Sequence, residues 1–222
     1  MSFLMVKCRL VTAIALTAIL VLSGCAGTSG PSAPLPESPS VRPDSDTVSR
    51  LKEGRIGFFI ADKGQYNVNQ RDLFVLGVDA LNTGAYDVAV DCFKAIVKAA
   101  PTQTAPYLNL AIAYIRSGQD DRAVAPLKKV LDKVAGHPLA SHEYGLLMRR
   151  AGRFNEARDV YEKSLELYPE YYPLHKNLGI LCDIYLNDLE CASSQYELFL
   201  EAQPEDELVR LWLAEVRGRM RR

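Results

Sequence analysis

The chain has 222 residues, enough for one ordinary domain with flanking segments. Its 26 basic and 27 acidic residues give a formal charge of −1, which excludes the basic excess of a polyanion binder. Near the N-terminus, Lys7 and Arg9 precede a short, uncharged, mostly apolar run from Leu10 to Leu22. A positive start followed by a run too short to span a bilayer comfortably predicts an export signal over residues 1–24. Its removal would leave 24 basic against 27 acidic residues, a net of −3, and nucleic acid is disfavoured as a partner.

That run ends in Leu22-Ser23-Gly24-Cys25. The tetrapeptide resembles the lipobox of bacterial lipoproteins, which implies that Cys25 is acylated and becomes the first residue of the exported chain. Ala26 follows where an aspartate would retain the protein, so the resemblance implies an outer-membrane anchor facing the periplasm. Several acyl chains on one residue make anchoring stable, whereas one chain is marginal. An uncleaved anchor and an ordinary secretory signal are the alternatives.

Residues 25–46 hold Pro31, Pro34, Pro36, Pro39 and Pro43 among serines and glycines, with almost nothing to bury. They read as a tether reaching ~65 Å if polyproline-like and ~25 Å if flexible. In residues 47–69, Val48, Leu51, Ile56 and Phe58-Phe59-Ile60 predict a short helix that caps the helical segment beginning at Gln70, although Gly54 and Gly57 weaken it.

From Gln70 a block returns every 34 residues. Leu76-Gly77 becomes Leu110-Ala111, Tyr144-Gly145 and Leu178-Gly179, and Gly84 becomes Gly118 and Gly152. Ala89 and Phe93 become Ala123 and Leu127, then Ala157 and Tyr161. The fourth copy slips by one residue near Tyr185, which places Asn187 at the turn, Ala192 and Tyr196 in the second helix and Pro204 at the end. Small residues fall where helices cross closely, and the large residue four positions after each alanine wedges between repeats. Pro126 lies inside a predicted helix, and Ala135 stands in place of a terminal proline.

This pattern resembles the tetratricopeptide repeat family, with L-G, then A-x3-F, then P on two antiparallel helices. The resemblance implies an all-α solenoid of four repeats, at residues 70–103, 104–137, 138–171 and 172–205. After Pro204-Glu205-Asp206, a capping helix is predicted in residues 206–222, burying a stripe of Leu208, Trp212 and Val216 and exposing Arg210, Arg217 and Arg221.

In that family the first helices of successive repeats line a concave groove, so residues 34 apart form its rungs. The resemblance places Phe74, Val78 and Leu81 on the first rung and Leu108, Ile112 and Ile115 on the second. His142, Leu146 and Arg149 fall on the third, and Lys176, Ile180 and Asp183 on the fourth. The groove then reads as apolar in its N-terminal half and, through Arg116, Arg149, Arg150 and Lys176, basic in its C-terminal half. It suits an amphipathic helix or extended segment with an acidic end. Alternatively, the apolar rungs pack against the chain's own Phe58-Phe59-Ile60. Relatives that clamp chaperone tails place Lys and Asn on the first rung, where this chain has Phe74 and Val78.

Cys182 and Cys191 lie on the two helices of the fourth hairpin, where they are either a disulfide or two buried thiols. His137, His142 and His175 form no metal motif, and no phosphate loop, nucleophile elbow or HExxH is present. The expectation is a non-enzymatic, cofactor-free, lipid-anchored periplasmic adaptor for an envelope protein, holding its partner near the membrane. Resemblance to repeat lipoproteins implies pilus or secretion machinery, or an energised Ton- or Tol-like complex. Pilotins of this fold carry more than four repeats. An accessory module of a periplasmic or cell-wall enzyme, binding a peptide or glycan, is the alternative.

Overall fold

The computed structural model describes residues 48–50, 58–60 and 66–222. The export segment, Cys25 and the tether lie outside these residues. Nine α-helices occupy the described part from Val68 onward, preceded by two three-residue strands.

The strands correct the helix expected in residues 47–69. Here β1 (Val48–Arg50) pairs antiparallel with β2 (Phe58–Ile60), in the register Val48–Ile60, Ser49–Phe59 and Arg50–Phe58. Aromatic and β-branched residues favour extended backbone, and the glycines between them weaken a helix.

Helix α1 (Val68–Thr83) starts two residues before Gln70, because Asn67 and Gln70 form a reciprocal capping box. The Gln70 N–H donates to the Asn67 side chain at 2.9 Å, and the Asn67 N–H donates to Gln70 Oε1 at 3.0 Å. Pairs then follow: α2 (Tyr86–Ala99) completes the first, α3 (Ala105–Arg116) and α4 (Asp120–Lys133) the second, and α5 (Pro138–Arg150) and α6 (Phe154–Leu167) the third. The fourth pairs α7 (Tyr172–Ile180) with α8 (Leu189–Ala202), and α9 (Glu207–Met220) ends the series. Helix α4 runs on through Pro126, which supplies no N–H to the ladder.

Each hairpin closes on a left-handed residue: Gly84 (φ 79°), Gly118 (φ 74°), Gly152 (φ 72°) and, in the fourth, Asn187 (φ 52°). The extra residue of the fourth repeat is absorbed by a π-helical segment, Leu181–Leu186, that extends α7.

The wedges fit as the spacing predicts. Ala89, Ala123, Ala157 and Ala192 are fully buried, as are Phe93, Leu127 and Tyr161, with Tyr196 nearly so. A Cβ on Gly77 would meet the Phe93 ring at 2.8 Å, on Gly145 the Tyr161 ring at 2.1 Å, and on Gly179 the Tyr196 ring at 2.6 Å. The second repeat changes both members together: the smaller Leu127 coexists with Ala111, and both are fully buried.

The stripe expected on α9 is rotated. Leu208 is 52% exposed and Trp212 half-buried, while Val209, Leu213 and Val216 are buried. These lie 35 residues after Leu174 and Leu178 of α7 and Leu181 of the π-helical segment, which are buried too. Helix α9 therefore occupies the first-helix slot of a fifth repeat. Asp206 caps it by accepting the Val209 N–H at 3.0 Å, and also holds Lys176 at 2.7 Å.

Candidate protein-binding surface

The 34-residue register defines one inner row across the first helices of the four repeats. Val78, Ile112, Leu146 and Ile180 occupy equivalent places and are all half-buried, with Ile115 beside them. On α9 the 35-residue offset puts the exposed Glu215 at the next place, while Leu211, 66% exposed, follows Phe74, Leu108, His142 and Lys176 instead.

Not every rung residue lines this surface. Leu81 and Leu108, placed in the groove by spacing, are 6% exposed and belong to the core. Phe74 is half-buried and packs edge-to-face on Phe93, with ring centroids 5.7 Å apart, and lies 5.8 Å from the Tyr66 ring. Sequence spacing assigns a helix face, but depth depends on how far the neighbouring helix closes over it.

The basic half of the groove is also corrected. Arg150 faces away from the inner row and pairs with Asp120 at 3.2 Å, beside a cleft of about 270 Å³ lined by Val124, Met148 and Arg153 among others. Lys176 is neutralised by Asp206 and lies over the Phe199 and Trp212 rings at 5.0 and 5.7 Å. Lys176 and the Val209 N–H together hold the Asp206 carboxyl below the usual carboxylate range. Asp183 is tied to Arg219 at 2.6 Å. Arg116 is exposed, and its Nη1 donates to the Leu81 carbonyl at 3.4 Å. His142 contacts Glu143 at 3.3 Å. Arg149 thus remains as the inner-row cation of the third and fourth repeats with no carboxylate partner among the described residues. Its guanidinium lies 5.8 Å from the Tyr185 ring centroid.

The polar places follow the wedges. Where the wedge is Phe93 or Leu127, the place four residues after Gly77 or Ala111 is Leu81 or Ile115. Where the wedge is Tyr161 or Tyr196, it is Arg149 or Asp183. The Tyr196 hydroxyl lies 3.4 Å from Asp183 Oδ2, and burial pushes both phenols well above their ordinary range.

Cys182 and Cys191 are joined as a disulfide, with Cα atoms 5.9 Å apart. Asp188 lies beside them, but its oxygens accept the Cys191 N–H at 3.0 Å and Arg158 at 2.9 Å. The donor atoms of this cluster are therefore committed elsewhere. His137 caps α5 by accepting the Ala140 N–H, and His175 is held by Gln195 and the Pro169 carbonyl, each at 2.7 Å.

The tetratricopeptide repeat profiles match residues 80–142 and 138–171. Residues 80–171 thus match tetratricopeptide repeats, and the solenoid has the fold of that family. Similar repeats occur in the photosystem I assembly protein Ycf3 of Prochlorococcus marinus (strain MIT 9211), 30% identical over 113 residues, covering 43% of this chain and 65% of that protein. The Ycf3 protein of Synechococcus sp. (strain CC9902) is 27% identical over 126 residues, covering 48% and 73%. The chain thus spans just under two thirds of the first of these relatives. Among solved structures, MamA from Desulfovibrio magneticus RS-1 superposes with a TM-score of 0.63 at 20% identity, covering 70% of this chain and 88% of that one. A second MamA structure gives 0.62 at 20% identity, covering 67% and 80%. These structures share the tetratricopeptide fold.

Proposed function

We propose that the protein is a non-enzymatic adaptor, anchored by lipid on Cys25 at the periplasmic side of an outer membrane, that holds a protein partner on its inner row. The observation carrying this reading is the line Val78, Ile112, Leu146 and Ile180: one half-buried apolar side chain per repeat, at equivalent places. Such a row suits an amphipathic helix or extended segment. Arg149, the cation left without a carboxylate, selects an acidic group on that segment.

The partner belongs to an envelope complex whose assembly or stability the adaptor assists, such as pilus or secretion machinery or a Ton- or Tol-like system. Support for an assembly role comes from the Ycf3 relatives, which are named as photosystem I assembly proteins. Support for the location comes from the Leu22-Ser23-Gly24-Cys25 motif and the proline-rich residues after it.

A photoreactive residue at Leu146 of the full chain in its native envelope tests the binding reading. One envelope protein should be trapped there and lost with Arg149→Glu. Crosslinks confined to the chain's own N-terminal residues would overturn it. Metabolic labelling with palmitate tests the anchor: the label and the membrane association should both vanish in Cys25→Ala.

A further inference from the structure

A repeat solenoid needs polar surfaces at its two ends, because each repeat buries its apolar face on the next. The first repeat departs from this. Val75 is 60% and Leu76 42% exposed on α1, whereas Leu110, Tyr144 and Leu178, which hold the place of Leu76 in later repeats, are 5% exposed or less. Asp72 and Asp79 flank the apolar pair on the same helix face. Both are exposed, and neither side chain has a partner among the described residues.

Helix α9 presents a matching face in the place where a following helix would pack. Arg210, Ala214 and Arg217 lie along it, all exposed, with Leu211 at their side. Arg210 and Arg217 are separated by seven residues, as are Asp72 and Asp79. Seven residues rise about 10.5 Å along a helix, so two arginines on one helix can meet two aspartates on another in register. Val75 and Leu76 then fall against Leu211 and Ala214.

We infer that the α1 face of one copy docks on the α9 face of a second copy, with Asp72 and Asp79 paired to Arg210 and Arg217. A second copy is the occupant because both halves of the charge and apolar pattern are on this chain. The arginines are available for exchange. Arg217 is half-exposed in its 2.9 Å contact with Glu197, and Arg210 is 3.8 Å from Glu207. Exposed pairs of this kind hold their partners weakly. The two faces are different patches, so the contact is head-to-tail and propagates into chains or rings rather than ending at a dimer.

The test uses the full chain carrying Val75→Cys and Ala214→Cys, oxidised gently in cells and resolved on a denaturing gel without reductant. Dimer, trimer and higher bands should appear, and neither single variant should extend beyond a dimer. Adding Arg210→Asp and Arg217→Asp should remove the ladder, and adding Asp72→Arg and Asp79→Arg as well should restore it. In purified protein, raising salt from 0.05 to about 0.5 M should lower crosslink yield severalfold, because exposed pairs are screened. Circular dichroism checks that every variant folds. A double-cysteine chain that forms no ladder, or a ladder indifferent to both charge reversal and salt, would overturn the inference.

Discussion

Tyr161 packs so closely on Gly145 that a methyl group on the glycine would sit 2.1 Å from the ring. The ring is fully buried and cannot step aside. Gly145→Ala should therefore cost about 2–3 kcal/mol, as overpacked cores do. Gly84→Ala has open space around it and only its positive φ to oppose it, and should cost about 1 kcal/mol. Adding Tyr161→Leu to Gly145→Ala recreates the pairing of Ala111 with Leu127. It should cost less than the two single changes together, which urea denaturation of all three variants would measure.

Leu108 and Leu146 separate core from binding surface. Leu108→Glu buries an unpaired carboxylate and should destabilise the chain by about 3 kcal/mol or more. Leu146→Glu sits on a half-open place and should cost about 1 kcal/mol or less while removing partner capture. Equal loss of thermal stability in the two variants would show that the inner row is core.

The disulfide closes a loop of nine residues' separation across the fourth hairpin. Loop-closure entropy assigns it about 3 kcal/mol. A dithiol reductant, or Cys191→Ser, should lower the urea midpoint accordingly. Because the bridge joins the π-helical segment to α8, faster amide exchange should appear first in residues 181–202.

Acid should loosen the C-terminal end first. The carboxyls of Asp188, Glu197 and Asp206 are all held low: the Cys191 N–H and Arg158 act on the first, Ser193 and Arg217 on the second, and Lys176 and the Val209 N–H on the third. A carboxylate with a depressed folded-state pKa contributes stability that is present above its unfolded pKa and lost as pH falls through the folded one. Stability should thus be flat near neutrality and fall below about pH 4. Trp212, the sole tryptophan, lies against Tyr196 and Lys176, so its fluorescence reports this end. Its acid transition should precede the loss of helical circular dichroism, and Asp206→Asn should reduce the pH dependence. Coincident transitions in the parent chain would contradict this.

The repeat register, the small-against-large pairing and the one-residue slip are legible in sequence because they are set by helix periodicity. Residues such as Leu108 and Leu146 share a face but differ in depth, and depth depends on neighbouring helices. Arg150 and Lys176 look free in sequence because their partners, Asp120 and Asp206, lie 30 residues away in the chain. The stripe on α9 is ambiguous because Leu208, Trp212 and Val216 match helix spacing as well as Val209, Leu213 and Val216 do. Only the place of α9 in the series decides between them. In residues 48–50 and 58–60, aromatic and β-branched side chains outweigh the helical reading.

One residue inserted into an α-helix turns everything after it by about 100°, which would swing α8 and α9 out of phase with the rest. The wider turn at Leu181–Leu186 takes up that rotation locally, and Asn187 makes the same left-handed corner as the glycines before it. Tyr185 is carried outward onto Phe154, with ring centroids 4.8 Å apart, so the surplus length becomes a contact with the preceding repeat. The superhelix crosses the insertion without a dislocation. A chain that handles length errors this way can change its number of residues inside a repeat and still hand an unbroken surface to the next helix.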